Sequence, residues 1–172
     1  MKNKIKNKMK KLALLAVFGL LTLGSSAQKF GHINYQELLS LMPERTTAET
    51  SLQDYAKGLE SQLMSMQTEY QSMVENYQNN EESYNDLTKQ DKIAEIQGLE
   101  QRLTTFQQSA QASLQEKEQE LLQPILEKAQ NAIDIVAEKG KYTYILDSSS
   151  GFILYSKDSE DILEKVKLAL KI

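Results

Sequence analysis

The sequence predicts a mostly α-helical α+β protein in which a long antiparallel coiled-coil hairpin projects from a small β-sheet body. Two observations carry this. First, an apolar stripe in 4-3 rhythm runs through Leu52, Ala56, Leu59, Leu63, Met66, Tyr70, Met73, Tyr77, Asn80, Tyr84 and Leu87. It breaks around Thr88–Lys92, and a second stripe begins at Ile93 and Ile96. A seam of that length needs a partner helix along its whole flank, and a chain that folds back at the break supplies one. Second, the strand-like runs lie near the two ends of the expected mature chain, so a hairpin that returns to its starting point brings them together.

Residues 1–27 read as an export leader. Lys2, Lys4, Lys6, Lys8, Lys10 and Lys11 form a basic start, Leu12–Gly24 is apolar, and Ser25-Ser26-Ala27 offers small residues for cleavage after Ala27. The apolar stretch is shorter than the roughly 20 residues of a membrane span, so no transmembrane segment is expected after cleavage. The chain has no cysteine, which excludes a lipoprotein anchor and disulfides. Six of the 20 basic residues lie in the leader, leaving 14 against 24 acidic ones, a net charge of −10. Such a surface argues against nucleic acid as a partner.

The elements follow in order. Gln28–Tyr35, with Phe30, Ile33 and Tyr35, reads as a strand, and Gln36–Met42 as a helix. Pro43-Glu44 is a first-turn pair, with Ser40 or a neighbour expected as the cap. The outbound helix is expected from Glu44 to about Lys89, and the return helix from about Lys92 to Lys139, each reaching on the order of 65–70 Å. The return stripe is Ile96, Leu99, Leu103, Phe106, Ala110, Leu114, Leu121, Ile125, Ala129, Ala132 and Val136. Its spacing widens after Ala110, a stutter that unwinds a supercoil. Pro124 suggests a kink rather than an end, because apolar periodicity resumes at once. Gly140 between Lys139 and Lys141 is a helix stop. Tyr142–Leu146 then reads as a strand, Asp147–Gly151 as a turn, and Phe152–Tyr155 as an antiparallel return strand. Asp158 is the expected cap of a final helix with Ile162, Leu163, Val166 and Leu170 on its apolar face.

This divides the mature chain into a body, 28–43 with 140–172, and hairpin arms, 44–139. The strands of the body are apolar almost throughout and so require cover on both faces. The terminal helix covers one, and neighbouring subunits are expected to cover the other. The protein is therefore read as an obligate oligomer.

Chemistry is scarce. His32 is the lone histidine and has no paired carboxylate in its motif, and Asp147 with Ser148–Ser150 is better explained as a turn. Metal-ligand spacing, a phosphate-cradling glycine loop and a nucleophile elbow are all missing. The sequence reads as no enzyme, with no cofactor and no metal site. The unusual surface is the arm, where Met66, Tyr70, Met73, Tyr77 and Tyr84 hold seam positions that leucine or isoleucine would pack more tightly. Methionine repacks easily and suits surfaces that accept many partners. These five, with Met64 beside the seam and Phe106 on the return arm, are the candidate client-binding residues; the plainer account is that they fill a two-helix interface.

The segments KFGHINYQELLSLMPE and ELLQPILEKAQNAIDIVAEKGKYTYILDSSSGFILYSKDSEDILEKVK, with a leader before them and a long hairpin between, resemble the Skp (OmpH) family of periplasmic chaperones, closest to its Bacteroidetes-like versions. Phe30–Glu44, Gln123–Ile125, Tyr142–Tyr155 and Asp158-x-x-Asp161-Ile162 carry the resemblance most specifically. It implies a homotrimer in which strands of three subunits join into an intersubunit barrel, with Phe30, Ile33, Tyr144, Ile145, Ile153 and Tyr155 in the oligomer core. It also implies a periplasmic, ATP-independent holdase whose arms grip unfolded outer-membrane proteins. Well-known members are basic with positively charged arm tips, whereas this mature chain is acidic and its tip, Asn79–Lys92, is mixed in sign. No lipopolysaccharide or anionic-lipid site is therefore carried over. The competing reading is an exported coiled-coil spacer or adaptor of the cell envelope.

Overall fold

A computed structural model describes residues 28–172; the expected leader and its cleavage point lie outside the described residues. The elements are β1 (Phe30–Ile33), α1 (Tyr35–Leu41), α2 (Pro43–Asn80), a 3-10 turn (Glu81–Ser83), α3 (Asp86–Gly140), β2 (Tyr144–Asp147), β3 (Glu160–Asp161) and α4 (Leu163–Leu170).

The hairpin forms as its pattern requires. Glu44 at the root of α2 pairs with Lys128 of α3, Leu52 shares a hollow with Glu118 and Leu121, and Met66 shares one with Arg102 and Phe106. Numbers rise on one helix as they fall on the other, so α3 returns along α2. The seam positions from Leu52 to Tyr77 are all half-buried, the level a single partner helix provides. Helix α3 continues through Pro124, whose missing N–H removes one rung of the ladder without ending it.

The turn comes earlier than the stripe suggests. Leu87 was expected on the outbound helix, but α2 stops at Asn80 and α3 starts at Asp86, where the Asn85 side chain accepts a hydrogen bond of 2.9 Å from the Thr88 N–H. Capping chemistry overrides the apolar rhythm. Tyr84 stays near the seam, its ring 6.3 Å from that of Tyr77 and its hydroxyl 3.1 Å from Asn76 Oδ1. Leu87, past the turn, is 70% exposed. Ser40 is no cap for α2: its hydroxyl donates to the Glu37 carbonyl, and Met42 precedes Pro43 without a side-chain cap.

The sheet differs from the expected hairpin of strands. Its order is β2-β1-β3, and both neighbours run parallel to β1, with Phe30 opposite Tyr144, Ile33 opposite Asp147 and Gly31 opposite Glu160. Parallel strands need a crossover, and here the whole helical hairpin is the crossover between β1 and β2. Phe152–Tyr155 is not a strand. Both edges of β1 are already taken, and residues 148–159 carry the chain from β2 past β1 to the far side. The turn itself is as expected, with Gly151 at φ 72° and Asp147 bonding the Ser149 N–H and hydroxyl at 2.8 Å each. Asp158 does not cap α4, because β3 intervenes; the cap position is Ile162, without a side-chain bond, and Asp161 before it accepts from the Leu163 N–H at 2.9 Å.

The core gathers Ile33, Leu38, Leu39, Met42, Ile162, Leu163 and Val166 from the ends of the chain with Ala48 of α2 and Ile125–Val136 of α3. The roots of the arms are thus part of the body's core. Leu38, Ile162, Val166 and Ala129 are fully enclosed.

Candidate functional site

Two surfaces stand out: an uncovered sheet face and the arm. The sheet has an inner face, where Gly31, Ile33 and Ile145 meet Ile162 and the helices. The register places Phe30, His32, Tyr144 and Leu146 on the opposite face. There the Phe30 and Tyr144 rings stack with centroids 6.0 Å apart and planes within 9°, and nothing among the described residues covers them fully. Phe30, Leu146, Ile153 and Tyr155 line an open hollow of about 230 Å³ on this side. Phe152 and Leu154 are 88% and 94% exposed.

Of the residues expected in an oligomer core, Phe30, Tyr144, Ile153 and Tyr155 lie at this open face or beside it. Ile33 is enclosed by its own subunit and Ile145 packs against that same core. Leu146, Phe152 and Leu154 were not expected there, although the period-two alternation that puts Leu146 in phase with Tyr144 is visible in the sequence.

A polar knot ties the ends of the body together. Glu160 of β3 accepts from the Tyr142 hydroxyl at 2.5 Å, lies 3.1 Å from Lys29 Nζ and pairs with Lys165 of α4. Lys29 Nζ also stands 4.0 Å from the Tyr142 ring centroid and donates to the Gly140 carbonyl at 3.3 Å. Hydrogen bonds from Lys165, Tyr142 and Lys29 hold the Glu160 carboxyl down at about 2. Tyr142 reaches this knot by lying against the end of α3, and a Cβ at Gly140 would collide with its ring. That contact explains the glycine, because the residue in the left-handed conformation is Lys141, at φ 54°. No sequence motif points to this knot, whose members are brought together only by the hairpin.

The two residues considered for chemistry have structural partners. His32 Nδ1 is 3.0 Å from Ser159 Oγ, bridging β1 to the segment entering β3. Burial pushes the Asp147 carboxyl up, but bonds from the Ser149 N–H and hydroxyl and the Tyr35 N–H outweigh it and hold the group below its ordinary range.

On the arm, Met66, Tyr70, Met73, Tyr77, Tyr84 and Phe106 sit half-buried at the seam or its tip. Met64 points outward and is 61% exposed. Beyond the root, Leu99 is the one fully buried large side chain of the arm among the described residues.

A two-helix arm on a small sheet body, with one apolar sheet face open among the described residues, is the architecture that sets the class of this protein. The family model "Outer membrane protein (OmpH-like)" matches residues 29–170, and the chain belongs to that family. Chaperone protein Skp of Vibrio cholerae is 27% identical over 99% of this chain and 100% of its own length. Chaperone protein Skp of Yersinia enterocolitica is 29% identical over 95% of this chain and all of its own. The crystal structure of an OmpH-like outer membrane chaperone from Caulobacter crescentus CB15 shares the fold, with a TM-score of 0.72 at 14% identity over 87% of this chain and 88% of that one.

Proposed function

We propose that the protein is a chaperone for outer-membrane proteins, an ATP-independent holdase that acts in the periplasm as a homotrimer. The observation that carries this is the family match across both body and arms, residues 29–170, since a coiled coil alone would match by architecture. The open apolar face supports assembly. Phe30, Tyr144, Leu146 and the 152–155 segment present a contiguous apolar surface of the kind that subunit contacts cover. In this reading Phe30, Tyr144, Ile153 and Tyr155 meet neighbouring subunits, while Ile33 and Ile145 support the sheet from behind.

The arms bind the client. Their seam of methionine and tyrosine is half-buried, so small rearrangements expose apolar side chains to an unfolded chain. Many weak contacts on several arms then sum to avidity without sequence specificity. No step in this mechanism requires a catalytic group or a cofactor.

Light scattering of the mature protein, alone and with a urea-denatured outer-membrane β-barrel, tests the proposal. The expected result is a trimer whose mass rises by one client that remains soluble. A monomer or dimer that leaves the client to precipitate would overturn it in favour of a structural spacer.

A further inference from the structure

The charge of the mature chain is not spread evenly. Body residues 28–43 and 140–172 carry as many basic as acidic side chains, so the whole excess of −10 belongs to the arms. On the arms Arg45, Lys57, Lys92, Lys117 and Lys128 are each taken up by a carboxylate partner. Only Lys89, Arg102 and Lys139 remain without an ion pair among the described residues, against many uncompensated carboxylates.

Those carboxylates avoid the middle of the arm. Across residues 61–68 of α2 and 101–115 of α3, Arg102 is the one charged side chain; the rest are Gln, Ser, Thr, Ala, Leu, Met and Phe. The two stretches lie side by side, because Gln62, Met66, Arg102, Thr105, Phe106 and Ser109 line one open hollow of about 450 Å³. Met64, two residues before Met66 and so on the far side of α2 from the hollow, is exposed. Gly98 borders the hollow, and nothing stands within 4 Å of the place a Cβ would occupy there. Acidic zones flank the band on both sides. Toward the tip are Glu69, Glu75, Glu81, Glu82, Asp86 and Asp91, and toward the body Glu116, Glu118, Asp134 and Glu138.

We infer that this uncharged mid-arm band is the contact strip for an unfolded client segment, and that the flanking acidic zones select segments whose apolar core is bordered by lysine or arginine. The inference rests on the chaperone reading and specifies its substrate class. The band supplies a hollow, side-chain amides and hydroxyls for an unpaired backbone, and the thioether of Met66 with the ring of Phe106 for apolar side chains. A carboxylate-bordered segment meets like charge on both sides, and a lysine-bordered one meets opposite charge. Such selection is screened by salt, because the charges lie on the surface.

The test uses the full mature protein and two unfolded fluorescent peptides with the same apolar, strand-like core, one bordered by three lysines at each end and the other by three glutamates. Anisotropy titrations at low salt should show the lysine-bordered peptide binding about tenfold more tightly, the sum of several exposed charge interactions. The preference should shrink several-fold on going from about 0.05 to about 0.5 M salt. Gly98→Gln, at an open position on the rim of the hollow, should crowd it and weaken both peptides equally. Glu81→Lys/Glu82→Lys should reduce the charge preference alone. Equal binding of both peptides, or tighter binding of the glutamate one, overturns the inference while leaving the chaperone reading intact. If neither peptide binds, the contact strip is overturned. If the denatured barrel also precipitates in the presence of the protein, the chaperone reading falls as well.

Discussion

The body and the arm are built from the same apolar residue types yet reach different degrees of enclosure. In the body, sheet, α1, α4 and the roots of the arms surround Leu38, Ile162 and Val166 from every side. Along the arm beyond its root each seam residue other than Leu99 has one partner helix and open solvent beyond it, and Leu99 is the one large side chain fully buried there among the described residues. Two layers of helix cannot enclose a core, however regular the stripe. Stability is therefore concentrated in the body, and the arm keeps apolar side chains within reach of solvent.

Substitutions in the two regions sharpen this contrast. Leu38→Ala removes a fully enclosed side chain of the body and should cost roughly 2–5 kcal/mol in denaturant unfolding. Met66→Ala on the seam should cost a small part of that, since its site is already half open. Equal losses at the two positions would break the comparison.

Glycine replacements separate the regions by sign. Gly140→Ala puts a methyl into the Tyr142 ring and should lower the melting temperature, by displacing Tyr142 from Glu160, Lys29 and Lys165. Gly58→Ala and Gly98→Ala have open space around them and should each raise helix stability by up to about 1 kcal/mol. If these glycines also give the arm its freedom to splay, the double variant should narrow the range of client sizes held soluble. An unchanged client range would show that the arm bends elsewhere, with Pro124 the next position to replace.

The smallest expected effect is on pH dependence. The Glu160 carboxyl is held at about 2 against an ordinary 4.5, so the unfolded chain takes up its proton first as pH falls. Its contribution is present in full above about pH 4.5 and is lost between there and about pH 2. Glu160→Gln should flatten the acid limb of stability in that window and leave neutral-pH client binding unchanged. A variant whose acid limb matches the wild type would remove the polar knot as a stabilising feature.

Much of the arm is legible in the sequence, because a coiled-coil seam is a local, periodic signal repeated along the helix. The stripe from Leu52 to Tyr77 and the return stripe through Val136 appear where their spacing places them. The tip falls a few residues earlier than expected because the rhythm continues through Tyr84 and Leu87, while the Asn85 cap, a single side chain, decides where α3 begins. Candidate client residues are legible as residue types, but their exposure is not. Met64 alone points fully outward, and the uncharged mid-arm band emerges only when residues 61–68 and 101–115 are set side by side.

From its own pattern the sequence determined the hairpin, the small body formed by the segments that flank it and the acidic balance of residues 28–172. Each of these depends on composition or on near-neighbour spacing. Tertiary structure alone decided the parallel order β2-β1-β3, the exclusion of Phe152–Tyr155 from the sheet, and the Lys29–Tyr142–Glu160–Lys165 knot. The reason is physical. Those features join the two ends of the described chain, residues 28–172, across the whole length of the hairpin. Which edge of β1 a strand takes depends on how the returning helix delivers it, a geometry that no local spacing encodes.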